Sequence, residues 1–178
     1  MALTGANGVG KTTLLESLVH PARARAPGRM AQATAFTDRI GYLPQRLDGL
    51  DDGASVLDQV RAAAPRTPPQ QVRAQLARFL LRGDAVHRQV GTLSGGERFR
   101  VSLARVLLAD PPAQLLVLDE PTNDLDLQTT DQLVSALAAY RGGLLVVSHD
   151  DAFLDRLGIT TWLELDQDGR LRTPPLLP

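Results

Sequence analysis

The chain has 178 residues, of which 43% are hydrophobic, 19 are basic and 20 acidic, for a formal net charge of −1. That length suits one domain with a true core, and the neutral total gives no global electrostatic footprint for nucleic acid or an anionic membrane, although a local patch can hide inside it. Cysteine is absent, which excludes disulfides, thiolate chemistry and Cys-based zinc sites and fits a cytoplasmic location.

The longest apolar runs, such as Leu115 to Leu118 and Leu144 to Val147, fall far short of the ~20 residues that span a bilayer. The opening residues carry no basic region and no signal-peptide core. Any membrane part is therefore expected on another chain.

In chain order, Ala2 to Thr4 reads as the end of a strand, and Lys11 to His20 as a helix stopped by Pro21. Residues 21–35, rich in Ala, Arg and Pro without periodicity, read as loop, and Arg39 to Leu43 as a short strand. Ser55 with Asp58 resembles a capping box opening a helix. Thr67 is expected to cap the next one, with Pro68 in its first turn. Val72, Leu76, Phe79 and Leu80 mark its apolar face and Gly83 its end.

Ser94 to Ala109 reads as helix, stopped by Pro111 and Pro112. Leu115 to Leu118 is a buried strand. Gln128 to Tyr140 is a helix with Leu133, Val134 and Leu137 inward, ended by Gly142 and Gly143. Leu144 to Ser148 is a second buried strand and Asp150 to Leu157 a short helix. Thr160 to Leu165 and Arg170 to Arg172 form a hairpin across Asp168 and Gly169. Unbroken apolar strands alternating with helices predict an α/β fold, a mostly parallel sheet flanked by helices.

Gly5-Ala6-Asn7-Gly8-Val9-Gly10-Lys11-Thr12 matches the P-loop pattern. Its glycines let the backbone bend and turn N–H groups inward around phosphates. The following helix points its positive end at them. Lys11 neutralises β- and γ-phosphate oxygens, and the Thr12 hydroxyl is a hard ligand suited to Mg²⁺.

The strand Leu115 to Leu118 runs into Asp119 and Glu120, two carboxylates at the strand end where α/β sheets place ligands. Asp119 would hold Mg²⁺, and Glu120 would polarise an attacking water. Taken alone, the pair also fits an acidic turn that caps the next segment. Leu93-Ser94-Gly95-Gly96-Glu97 fits an ordinary capping box, or a helix N-terminus that meets phosphate. Gln45 follows a strand, where its amide oxygen could reach Mg²⁺ or water. His149 follows another, where it could hydrogen-bond a γ-phosphate.

The order of these elements resembles the ATP-binding cassette family over nearly the whole chain. The P-loop, Gln45, Leu-Ser-Gly-Gly-Glu at 93–97, Leu-Asp-Glu at 118–120, Asn-Asp-Leu-Asp at 123–126 and His149 all appear in sequence. The Ser-Gly-Gly-Glu element is the specific mark, because P-loops alone occur across many ATPases. The resemblance implies a P-loop NTPase fold with a helical signature subdomain, at about residues 50–109, that binds and hydrolyses ATP with Mg²⁺. It makes Gly5 to Thr13 the phosphate loop, with Thr13 in the nucleotide site. Gln45 is the Q-loop residue, a further Mg²⁺ ligand, and Ser94, Gly95 and Gly96 form the signature loop. Asp119 and Glu120 are the Walker B aspartate and catalytic glutamate, Asp126 belongs to the D-loop, and His149 is the switch histidine. It also implies that two such domains pair head to tail, with ATP between the phosphate loop of one and the signature loop of the other.

Glu120-Pro121-Thr122-Asn123-Asp124-Leu125-Asp126 and Val147-Ser148-His149-Asp150 are similar to the ABC-F branch, which acts on ribosomes. Family members carry a segment before the P-loop, including an aromatic residue that stacks on adenine. Residues 1–178 therefore read as a single, N-terminally truncated cassette, most like the second one of a tandem ABC-F protein. The competing readings are the ATPase subunit of a membrane transporter and a fragment that binds nucleotide poorly and no longer turns over.

Overall fold

The computed structural model describes residues 1–21, 33–47, 49–123 and 125–173. Most of the 21–35 segment expected as loop, and Asp124 of the 123–126 stretch, lie outside these. The strands are β1 (Ala2–Thr4), β2 (Ile40–Leu43), β3 (Leu115–Asp119), β4 (Gly143–Val147), β5 (Trp162–Leu165) and β6 (Leu171–Arg172). The helices are α1 (Lys11–Val19), α2 (Val56–Ala63), α3 (Pro69–Leu76), α4 (Gly95–Leu107), α5 (Leu127–Ala138) and α6 (Asp151–Arg156).

The strands form one sheet in the order β2-β3-β4-β1-β5-β6, parallel except for the β5–β6 hairpin. Alternation along each strand divides the core. Leu116, Leu118 and Val146 face one layer with Phe99, Leu103, Leu133 and Phe153 from α4, α5 and α6. Val117, Val147, Leu3 and Leu165 face the other with Leu14 and Leu15 of α1. The sheet is thus covered on both faces, as its apolar strands require. No helix among the described residues is long and apolar enough to cross a membrane.

Three local expectations change. The helix after Thr67 opens at Pro69, with Pro68 extended (ψ 142°) as its N-cap and no side-chain cap. A residue that precedes proline is pushed out of the α region, so Pro68 cannot join the first turn. That helix ends well before Gly83. The Leu81 N–H donates to the Leu76 carbonyl and the Leu80 N–H to the Ala77 carbonyl, at 3.2 Å each. This Schellman closure puts Leu80 in the left-handed region (φ 58°) and leaves it 40% exposed, while Leu81 takes the buried place. Gly83 instead opens a 3₁₀ turn, Gly83–His87.

Boundaries elsewhere move by one to three residues. Ser55 and Ser94 both cap helices as expected, and Ser94 with Glu97 forms a full capping box. Gly143 belongs to β4 rather than to the helix end before it. The hairpin turns at Gly169 (φ 74°), and Asp166 Oδ1 accepts from the N–H groups of Asp168 and Arg170 at 3.0 and 2.8 Å.

Candidate active site

β1 feeds directly into a loop whose three glycines all have positive φ: Gly5 at 139°, Gly8 at 78° and Gly10 at 104°. Only glycine reaches such conformations without strain. At Gly5 space is also limiting, since a Cβ there would lie 2.5 Å from the Leu165 carbonyl oxygen. Gly10 is the N-cap of α1 and supplies no side-chain cap, so the first amides of that helix stay open to an anion. Lys11 is only 8% exposed, and its Nζ donates to the Gly5 and Ala6 carbonyls at 2.7 and 3.1 Å.

The strand ends bring the remaining groups to this loop. A cleft of about 610 Å³ is lined by Asn7, Gly8, Gly10, Lys11, Thr12 and Thr13 on one side and by Gln45, Asp119, Glu120 and His149 on the other. β2 delivers Gln45, β3 the two carboxylates, and β4 the histidine. These are adjacent parallel strands, so their carboxyl ends open on the same edge. Asn123 completes the lining. In the sequence it stands out only as part of the 123–126 stretch, because its place on the cleft depends on the turn after β3.

Asp119 is 1% exposed, and neither of its oxygens has a hydrogen-bond partner. Burial pushes its pKa above the ordinary carboxylate value. The Thr12 hydroxyl pulls it back, as does the Lys11 charge, while Glu120 and Glu16 raise it further. A buried carboxylate with free oxygens beside an exposed hydroxyl fits a hard divalent cation. Thr12 and Asp119 are the residues that would hold Mg²⁺, with Gln45 on the rim.

Glu120 stands at φ 48°, a left-handed position that costs a non-glycine residue energy. Its N–H donates to the Val147 carbonyl at 2.8 Å, which ties the end of β3 to β4. One carboxylate oxygen lies 3.4 Å from His149 Nε2, and the same nitrogen lies 3.3 Å from Lys11 Nζ. Tyr42, on β2, is held protonated by burial and by the nearby charges of Asp119 and Glu16.

The signature segment stands apart from this cleft. Ser94 and Gly96 do not line it, and Gly95 lines an adjoining pocket that includes Gln45, Phe99 and Glu120. A Cβ on Gly96 would come 3.6 Å from the Thr129 hydroxyl on α5. Asp126 is exposed and caps α5, its Oδ1 accepting from the Thr129 N–H at 2.7 Å. Its pKa falls because of that backbone hydrogen bond first. Ala6 and Val9 belong to the phosphate loop without lining the cleft.

A phosphate cradle at the head of a parallel sheet, with two carboxylates, a glutamine and a histidine opposite, defines a P-loop ATPase domain. Residues 1–123 match the family model described as ABC transporter. The chain belongs to the ATP-binding cassette family, whose ATPase domains hydrolyse ATP. It is 40% identical over 164 residues to "Putative ATP-binding protein YdiF" of Bacillus subtilis, covering 92% of this chain and 25% of that protein. It is 37% identical to "ATP-binding protein Uup" of Escherichia coli, covering 92% and 26%. It is 34% identical to human "ATP-binding cassette sub-family F member 3", covering 92% and 22%. The chain thus spans about a quarter of the length of these curated relatives.

Among solved structures, the dimeric bacterial ABC transporter cassette MJ0796 matches 99% of this chain and 85% of its own, with a TM-score of 0.72 at 19% identity. An inward-facing putative metal-chelate type ABC transporter matches 97% and 71%, with a TM-score of 0.70 at 26% identity.

Proposed function

We propose that this chain is one ATPase cassette of an ABC-F-type protein that acts on the ribosome in the cytoplasm, in translation or antibiotic protection. The carrying observation is the Glu-Pro-Thr-Asn run at 120–123 at the head of the cleft, together with the similarity to a sub-family F protein over 92% of the chain.

In this reading Lys11 and the loop amides hold the β- and γ-phosphates of ATP, and Thr12, Asp119 and Gln45 would hold Mg²⁺. The ion supplies charge neutralisation on the phosphates when bound. Glu120 orients and polarises the attacking water, and His149 hydrogen-bonds the γ-phosphate. Ser94, Gly95, Gly96 and Asp126 serve the nucleotide of a second cassette, paired head to tail. That explains why the signature loop stays off this chain's own phosphate cleft. Residues 1–178 act as one nucleotide-binding domain, with the helices between about 50 and 109 as its signature subdomain.

The test is co-sedimentation of a Glu120→Gln chain with ribosomes in the presence of ATP. ATP-dependent pelleting supports the reading. Absence of pelleting, with co-purification of a membrane permease instead, replaces it with a transporter subunit.

A further inference from the structure

The segment before the signature loop is fixed by its backbone. The Val56 N–H donates to the Arg88 carbonyl at 3.1 Å, the Val90 N–H to the Ala54 carbonyl at 3.0 Å and the Gly91 N–H to the Asp52 carbonyl at 3.0 Å. Val56, Val90 and Leu93 are buried, whereas Ser94 and Gly95 are exposed. Arg88 is thus anchored by its main chain, while its side chain stays 41% exposed.

From that anchor the guanidinium spans the loop. Nη1 donates to Glu97 Oε1 at 2.7 Å, and Nη2 to the Thr92 carbonyl at 2.9 Å. The two contacts lie on either side of Ser94 in the chain. Glu97 is itself tied to the loop. Its Oε2 accepts from the Ser94 N–H at 2.9 Å, and its own N–H donates to Ser94 Oγ at 3.3 Å. The Ser94 N–H first, and Arg88 after it, hold the Glu97 carboxyl below the ordinary carboxylate range against the effect of burial. A charged carboxylate therefore stands in the first turn of α4, next to the amides of Gly95 and Gly96, which have no acceptor within the helix. Arg88 is the only cation paired with it among the described residues.

We propose that Arg88 is a positioning residue: it sets the shape of the signature loop and offsets the Glu97 charge, so that the loop accepts the triphosphate of a partner cassette. The proposal rests on the head-to-tail pairing described above. Without Arg88 the incoming phosphates would meet an uncompensated carboxylate close to the loop's glycines, and like charges repel. A pair this exposed adds little to the stability of the fold, so its effect lies in the shape and charge of the loop. Arg88 does not line this chain's own phosphate cleft.

The experiment uses the full 178-residue chain carrying Glu120→Gln, with Mg²⁺–ATP, and follows pairing by sedimentation against protein concentration. Beside it run Arg88→Met, which keeps the length of the side chain, Glu97→Gln, which keeps both capping bonds, and the two together. Arg88→Met is expected to weaken ATP-dependent pairing about fivefold, near the upper end for an exposed ion pair. ATP affinity of the single chain stays unchanged. Adding Glu97→Gln recovers part of the lost pairing, which removal of a charge cannot do for a merely structural defect. In the ATP-free chain Arg88→Met speeds hydrogen exchange of the Ser94 amide severalfold. Pairing unchanged in Arg88→Met overturns the proposal, as does a double variant no better than Arg88→Met, or unchanged exchange at Ser94. A parent chain that stays monomeric with ATP at every concentration removes the pairing reading itself, and with it this role for Arg88.

Discussion

Lys11 Nζ and His149 Nε2, 138 residues apart in the chain, lie 3.3 Å from each other across the cleft. The contact makes the phosphate loop and the end of β4 one wall. An ammonium can only donate, so the ring nitrogen accepts there, whereas against the Glu120 carboxylate at 3.4 Å it must donate. A nucleotide that draws Lys11 onto its phosphates frees Nε2 to donate, to the Glu120 carboxylate or to a γ-phosphate oxygen.

Lys11 is the only lysine in the sequence. Amine-reactive labelling of this chain therefore reads one side chain besides the chain's amino terminus. Mg²⁺–ATP is expected to cut labelling of Lys11 severalfold, as followed by peptide mass spectrometry. Labelling indifferent to saturating ATP would remove Lys11 from the phosphate site.

Glu120→Gln keeps the size of the side chain and its backbone position while removing the charge. ATP binding should persist and turnover fall by about 10²–10⁴-fold, the range of general base contributions. Near wild-type turnover would reject Glu120 as the catalytic carboxylate. Because Glu120 sits at φ 48°, Glu120→Gly should also abolish turnover while relieving strain, with no loss of thermal stability from the backbone.

Asp119 carries its charge in a buried place without partners, and burial raises its pKa. The sign follows: a carboxyl whose pKa is higher folded than unfolded favours folding when protonated. Its contribution falls as pH rises from the unfolded value of 3.8 through the folded one. Asp119→Asn should therefore raise the melting temperature of the ligand-free chain at neutral pH, by roughly 2–4 °C for each kcal/mol relieved. The same variant should lose the Mg²⁺-dependent part of stabilisation by ATP. A variant that melts lower without ligand would show that the carboxylate is satisfied in the fold.

Head-to-tail pairing makes a mixing experiment decisive. Lys11→Ala spoils the phosphate loop and Ser94→Arg the signature loop. Each alone should be nearly inactive if the chain pairs with itself. Mixed, they form a pair with one site built from the intact loop of each, so turnover should return in part. Arginine at 94 also removes a helix cap worth about 0.5–2 kcal/mol, so a melting curve is needed beside it. No recovery in stable, mixed chains would sink self-pairing.

Gly5→Ala should destabilise the fold by more than the ~1–3 kcal/mol of backbone strain alone, because its Cβ meets the Leu165 carbonyl. Gly8→Ala has open space and should carry the strain alone. Thermal melts of the two variants would separate crowding from conformation, and equal losses would contradict the close approach of the loop to β5.

Local chemistry is legible in the amino-acid sequence itself. Glycine spacing, a lysine and a hydroxyl at the head of a helix, and carboxylates at a strand end are consecutive in the chain, so their geometry follows from φ/ψ preference and strand alternation. Helix starts at Ser55 and Ser94 are readable for the same reason, since a cap bonds within three residues. The end of α3 is not, because Leu80 enters the left-handed region only when a Schellman closure lets Leu81 reach the core. Parallel pairing of β1 with β4, which brings His149 to Lys11, joins residues more than 130 apart, and no local periodicity encodes it. Nor does the sequence show that Asp119 is buried without a hydrogen-bond partner, or that a Cβ at Gly96 would meet the Thr129 hydroxyl. Residue types determined which chemistry was available; packing of distant segments decided which groups meet and which remain unpaired.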